Sequence, residues 1–451
     1  MEAPQQHDRM FGMLSPTKLF FKCALPSMVS MGVTSLYTIA DGVFVGRFIG
    51  SGALAAVNLV MPLIMVSFAL SDMIAVGSSV QIAIRLGQGN GEGASRVFSF
   101  ACKTILALSV VMGLGGFFLA PGLVGLLGAE GQVAAMAVEY MRVYAMFAPL
   151  IMCFFAVDNY LRICGRVKYS MFMNVIISLA NIALDALLIV GLGGGIGAAA
   201  LASCICLAAG SVICFWPFFA KKLPLRFVRG GVPARVMANI MANGSSEFFS
   251  NISSSVCMVL FNAVLMRIEG YRAVAAFSIV MYVDSVVKSV LFGMGDALQP
   301  ALSYNYGAKQ PGRVLALERR VQLAGFVISF AMMVWMLAGG RGLITLFSPP
   351  GDAALLTMSL RAMRLFALSY LVSWCAIVSS SFFTALDRPL FSLVQSTCAT
   401  LLFPLIGLAV LPAALGLDGV WLTGLFGGAL SALLAAVLLW RTMRRLKRRA
   451  A

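Results

Sequence analysis

Histidine is all but missing. The chain has one among 451 residues, His7, in a polar N-terminal stretch, so no His-based catalytic or metal constellation can be built inside the fold. Its ten cysteines form no CxxC spacing and lie scattered in apolar stretches, apart from Cys204 and Cys206; they read as small packing residues. Charge is scarce too: 11% of residues are charged against 61% hydrophobic, and the mean hydropathy is +0.95, which excludes an ordinary water-soluble protein. Period-two alternation is lacking, since the apolar residues run in long blocks, and this excludes an outer-membrane barrel. No HExxH or Ser-with-His arrangement occurs and no repeated pore loop is visible, so neither an enzyme nor a channel is expected. After the segment ending at Lys22 no small-residue cleavage pattern follows, so no cleaved signal is expected.

What is present is a basic chain, with 33 Lys and Arg against 17 Asp and Glu, net +16. In a soluble protein that excess would suggest nucleic acid. Here the cations gather at alternate ends of the apolar blocks: Arg9, Lys18 and Lys22; Arg85, Arg96 and Lys103; Arg162, Arg166 and Lys168; Lys221 through Arg235; Lys309 through Arg320; Arg388; and Arg441 through Arg449. Cytoplasmic loops retain Lys and Arg, so both termini are expected in the cytoplasm, with the protein a multi-pass component of the inner cell membrane that contacts anionic lipid and no nucleic acid.

Breaks of Gly, Pro or charge divide the chain into twelve apolar segments: 16–45, 53–85, 95–119, 132–160, 169–191, 195–219, 236–266, 273–304, 316–340, 353–385, 390–412 and 417–440. Each is long enough to span a bilayer as a helix. Pro26, Pro62, Pro149, Pro217 and Pro404 fall inside or near span ends, where bends are tolerated if the freed carbonyls are satisfied. An internal repeat is also visible. Arg47, Gly50, Ala53, Ala55 and Ala56 align with Arg267, Gly270, Ala273, Ala275 and Ala276, and Gly77 and Gln81 with Gly295 and Gln299. Six spans per half is an even number, so the halves run parallel. The expected organisation is an N-lobe at 1–220, a cytoplasmic linker at 221–235, a C-lobe at 236–440 and a basic tail at 441–451. Such duplication is frequent in transporters that rock one half against the other.

The acids then sort by depth. Glu2, Asp8, Glu92, Glu130, Glu139, Glu269, Glu318, Asp352, Asp387 and Asp418 read as tail, loop or span-end residues. Asp41, Asp72, Asp158, Asp185, Glu247, Asp284 and Asp296 lie within spans, where a charge is expensive and needs a partner, a proton or water. Asn181 and Asp185 are one turn apart on one helix face. If Asp41 and Ser203 converge on them, two carboxylates, an amide and a hydroxyl suit a sodium ion or one shared proton; a plain helix–helix hydrogen bond is the alternative. Asp284 and Lys288 have the spacing of a structural ion pair. Asp72, Asp158 and Asp296 have no evident partner. Tyr37, Phe44, Met152, Phe154 and Phe155 supply adaptable, polarizable surface for a cavity accepting flat organic cations.

The runs Ala24-Leu-Pro-Ser-Met, Leu36-Tyr-Thr-Ile-Ala-Asp-Gly-Val-Phe-Val-Gly-Arg and Ala53-Leu-Ala-Ala-Val-Asn resemble the opening of the multidrug and toxic compound extrusion (MATE) transporters. Leu86-Gly-Gln-Gly, Asn159-Tyr-Leu-Arg, Asn181 with Asp185, Gly197-Ala-Ala-Ala-Leu-Ala-Ser and Gly244-Ser-Ser-Glu-Phe extend the likeness over essentially the whole chain. The resemblance implies two six-helix lobes around a central cleft, exporting organic cations and other amphipathic compounds in exchange for inward H+ or Na+, with no further cofactor. It implies Asp41, Asn181, Asp185 and Ser203 as the coupling-cation site, Na+ being possible at the first three. Asn159 and the C-lobe acid Glu247 would join the substrate cavity of a protein acting as a monomer. Ser379, Ser380 and Ser381 stand where some members carry a second acid. The rival reading is a flippase of lipid-linked precursors or polysaccharide, whose anionic substrate would need a cationic interior.

Overall fold

The computed structural model describes residues 8–347 and 353–450; Glu2, His7 and Asp352 lie outside the described residues. Twelve helices are long and apolar enough to cross a membrane. They are α1 (Pro16–Ile49), α2 (Gly52–Gly87), α3 (Gly91–Leu126), α4 (Gly131–Ile163), α5 (Val167–Gly191), α6 (Ile196–Phe219), α7 (Ala234–Glu269), α8 (Tyr271–Gly307), α9 (Pro311–Gly342), α10 (Ala353–Leu371), α11 (Pro389–Leu415) and α12 (Leu417–Arg448). No strand occurs among the described residues. The chain is thus an all-α multi-pass membrane protein. The tenth segment is not one continuous helix: a 3-10 turn at Leu368–Leu371 and an irregular Val372 separate α10 from a shorter apolar helix, Ser373–Ala385.

The chain packs as two compact units, one of residues 8–14 and 25–244, the other of 15–24 and 245–450. The stretch at 221–235 belongs to the first unit, and α7 passes from one unit to the other at Gly244. Likewise α1 changes unit between Ala24 and Leu25, next to Pro26 inside the helix. In the first unit α4 packs against α2, α3 and α6, around Val57, Val60, Ile64, Tyr140, Ile189 and Ile196. In the second, α8 packs against α9, α10 and the Ser373–Ala385 helix, around Phe277, Val280, Met336, Tyr370 and Trp421.

Small residues set the closest approaches, as expected where apolar packing alone does not drive helices together. A Cβ on Gly77 would overlap the Ile240 carbonyl oxygen, and one on Gly244 that of Met73, so α2 and the start of α7 meet backbone to backbone within the first unit. The short turns repeat as well. The connections α2–α3, α4–α5, α8–α9 and the one preceding α11 each close on a left-handed residue, namely Gly89, Gly165, Lys309 and Asp387. The next amide in each reaches back five residues: Asn90 to Arg85, Arg166 to Leu161, Gln310 to Asn305 and Arg388 to Phe383, at 2.8, 3.0, 2.9 and 3.0 Å. These are Schellman caps. Both units use the same turn, and Lys221 after α6 makes it too, with the Lys222 amide reaching Pro217 at 3.1 Å.

Candidate functional site

The first unit brings four expected residues together. Asp41 on α1 and Asp185 on α5 have their carboxyl groups within hydrogen-bonding reach of each other. Each acid lies just before a change of helix type: α1 passes into a π-helical turn at Val45–Ile49 and α5 at Ala186–Gly191. Such turns re-aim side chains and recur at functional positions. Asn181 Nδ2 donates to Asp185 Oδ2 (3.2 Å), while its Oδ1 accepts from Ser203 Oγ (3.0 Å) and the Ser203 N–H (3.1 Å), the amide orientation in which donors meet acceptors. Asp185 is fully buried, Asn181 nearly so, and Asp185 Oδ1 has no hydrogen-bond partner. Among the described residues no Lys, Arg or His forms an ion pair with either acid.

A buried acceptor facing a second acceptor is an unstable arrangement unless something positive lies between them. One proton serves both oxygens at once. A sodium ion would also want the Asn181 carbonyl, but that oxygen is turned to Ser203 and the amide N–H faces the pair. In the other amide orientation Asn181 Nδ2 donates to Ser203 Oγ at 3.0 Å and the carbonyl is released from Ser203. Among the described residues no cluster of three or more His, Cys, Asp or Glu could hold a metal ion.

Tyr37, one turn before Asp41, lies within electrostatic reach of both acids, and Tyr140 on α4 within reach of Asp41. Tyr144, one turn beyond Tyr140, is close to Tyr37. The two α4 tyrosines were missed in the sequence. Their signal was there, because buried phenols spaced one turn apart in an apolar span need polar company.

The other expected cavity residues are dispersed. Met152 and Phe155 line a cavity of about 40 Å³ with Ser67, Phe68 and Tyr144. That admits water and is far below the roughly 300–1,000 Å³ of a drug-sized site. Phe154 is buried against Gly210 instead, and Phe44 stacks on Phe48 at 5.8 Å. Asn159 is half-buried, and its Nδ2 donates to the Phe155 carbonyl of its own helix at 3.2 Å. Glu247 is half-buried in α7 and belongs to the second unit.

Two readings of the acids need correction. Asp158 is not a lone acid: Arg162, itself buried, donates to Oδ2 at 2.5 Å, and Ser170 and Asn174 donate to Oδ1 at 2.5 and 2.8 Å. Arg162 is therefore a structural counter-ion and not merely an orienting loop charge. Glu318 lies near the start of α9, as a span-end residue should, but it has no exposed area. The Asp284–Lys288 pair forms at 2.7 Å, and Tyr370 adds a hydrogen bond to Asp284 at 2.8 Å. Asp296 accepts from Gln299 and Ser381 at 3.0 and 3.4 Å, and Asp72 is half-buried in α2.

Comparison with known proteins agrees across the chain. The MatE family model matches residues 26–187 and 248–408. The multidrug export protein MepA of Staphylococcus saprophyticus is 25% identical over 409 residues, covering 89% of this chain and 87% of that protein. MepA of Staphylococcus aureus is 23% identical over 438 residues, covering 95% and 94%. A crystal structure of MATE in complex with MaL6 superposes with a TM-score of 0.94 at 24% identity, covering 99% and 100% of the two chains. An outward-facing multidrug resistance MATE family transporter of the MOP superfamily gives 0.90 at 25% identity, covering 99% of each.

Proposed function

Starting from the fact that the chain belongs to the MatE family of multidrug and toxic compound extrusion transporters, we propose that it is an antiporter, not an enzyme, that exports amphipathic organic cations in exchange for inward protons. The coupling proton sits between Asp41 and Asp185. The observation that carries this reading is the buried Asp185, with Oδ1 unpartnered, within hydrogen-bonding reach of the Asp41 carboxyl and with no cationic side chain paired to it among the described residues. Asn181 and Ser203 hold Asp185 in place and, with an N–H directed at the pair, favour H+ over Na+.

Proton and drug favour different states of the protein. Protonation of the pair biases α1, whose Pro26 lacks the N–H that would tie the helix together at the point where it changes unit. A ligand can shift such an equilibrium only through its differential affinity for the two states. The driving force is adequate. For a neutral substrate, export against a hundredfold gradient costs about 2.7 kcal/mol, and one positive charge entering across about 150 mV releases roughly 3.4 kcal/mol; for a monovalent cation the exchange is electroneutral and the pH difference alone drives it. Glu247 and the aromatic residues of α1 and α4 serve the substrate. Chain ends rich in Lys and Arg lie on the cytoplasmic side, and the chain acts as a monomer. The flippase reading is weaker, because Lys288, the clearest cation within a span, is already neutralised by Asp284.

The test is efflux of a fluorescent organic cation from proteoliposomes with the proton and sodium gradients imposed separately. Export driven by the proton gradient alone, and lost in both Asp41→Asn and Asp185→Asn, is the expected outcome. Export driven only by sodium, or intact energised export in both variants, overturns the proposal.

A further inference from the structure

The second unit holds another carboxyl that the Asp41–Asp185 reading does not use. Glu318 on α9 has no exposed area. Its Oε1 accepts from Gln322 Nε2, one turn on, at 2.6 Å, and its Oε2 has no hydrogen-bond partner. The Gln322 amide also reaches Ser379 Oγ on the Ser373–Ala385 helix at 3.4 Å, and Cys375 on that helix is within electrostatic reach of Glu318.

Among the described residues no Lys or Arg forms an ion pair with Glu318. Arg319 is exposed, and Arg320 donates to the Ala316 carbonyl at 2.6 Å and to Thr17 Oγ1 at 2.9 Å. Arg313 donates to Asn305 at 2.8 Å. On α8, Asp284 is paired with Lys288, and Asp296 accepts from Gln299 and Ser381.

An anion in this position would have a single hydrogen bond, no paired counter-charge and no solvent exposure, the combination that buried carboxyls avoid by taking up a proton. A metal ion is a poorer occupant, since Gln322 presents an N–H and not its carbonyl. We propose that Glu318, held by Gln322 beside Ser379 and Cys375, is a second proton-binding site, located near the start of α9 and distinct from the Asp41–Asp185 pair. The proton resides on Oε2 while the helices enclose it and leaves when water reaches that oxygen. No residue is shared with the first unit's site, so this proposal stands or falls independently of the antiport reading.

Infrared spectroscopy of the reconstituted full-length protein tests it. Wild type at neutral pH should show a neutral carboxylic-acid C=O band that Glu318→Gln removes and that the Asp41→Asn/Asp185→Asn double variant retains. Gln322→Leu, which leaves the carboxyl in place but takes away its donor, should move that band to higher wavenumber. The proposal is overturned if Glu318→Gln leaves the neutral-acid region unchanged and removes ionised-carboxylate intensity. Should Glu318→Gln fail to fold, a neutral-acid region that is unmoved in Gln322→Leu overturns it equally.

Discussion

On the proposed reading, two carboxyl groups within hydrogen-bonding reach, one of them fully buried with an oxygen that has no donor, share a single proton. The stoichiometry of coupling follows from that number. For a neutral substrate, one proton moving inward across about 150 mV supplies roughly 3.4 kcal/mol. At about 1.4 kcal/mol per tenfold this supports a gradient of roughly 300-fold. For a singly charged organic cation the exchange of one charge for one charge is electroneutral, so voltage contributes nothing and each pH unit supports about tenfold. The assay is the steady-state distribution of a fluorescent monovalent cation in proteoliposomes, with the membrane potential clamped by potassium and valinomycin while the pH difference is varied. The expected ratio follows the pH difference tenfold per unit, stays flat in voltage, and collapses to one in Asp41→Asn and in Asp185→Asn. A ratio for a monovalent probe that rises with voltage as well as with the pH difference would mean more than one proton per cycle, and coupling through the pair's proton alone would be refuted. A ratio maintained in either variant would refute the assignment of the pair.

Alanine at Gly77 or Gly244 forces a Cβ into a backbone carbonyl that no side-chain rotation can move, so each should cost about 3 kcal/mol or more, read as a fall in thermal midpoint in detergent; alanine at Gly32 or Gly42, where a Cβ meets nothing, is the control. Arg162→Met leaves Asp158 buried without its counter-ion and should cost about 3–5 kcal/mol, with Arg162→Met/Asp158→Asn recovering much of it; equal losses in the two variants would contradict the ion-pair account. Burial pushes the Cys164 thiol, in the turn between α4 and α5, up to about 12. The thiolate is then scarce at pH 8, and maleimide should label Cys164 only after unfolding, as mass spectrometry of the labelled peptides would show.

The twelve crossings were legible because a bilayer demands long apolar runs and little else satisfies that demand. Asp185 and Asn181 were legible for a similar reason, being polar residues at helical spacing in an apolar stretch. Glu318 and Gln322 have the same spacing and the same pairing of acid with amide. Glu318 falls in the run of cations from Lys309 to Arg320 that marks a span end, whereas the helix turns Arg319 and Arg320 away from the buried face. Period, not proximity in sequence, decides what a residue faces. Asp158 looked solitary because Arg162 was read by its place near a span end, although four residues separate an ion pair on any helix. Phe154 parts from Met152 and Phe155, which share a cavity, for the same reason. Adjacent helical residues point about 100° apart, so one run of large side chains cannot line a single cavity. The break at Val372 had no Gly or Pro to announce it, and the sequence offers no local signal for it.

The Schellman turns have a mechanical corollary. A pair of helices clamped by a back-reaching amide at a left-handed residue has almost no slack at its bend, so α2 with α3, α4 with α5, and α8 with α9 behave as stiff levers. Compliance then has to come from inside the crossings. The π-helical turns after Asp41 and Asp185, the proline of α1 and the irregular Val372 are where the ladder of backbone bonds is already loosened. On the proposed reading, the two π-helical turns put loosened backbone on the same helices as the paired acids, so a change in the charge of the pair acts on segments already able to yield.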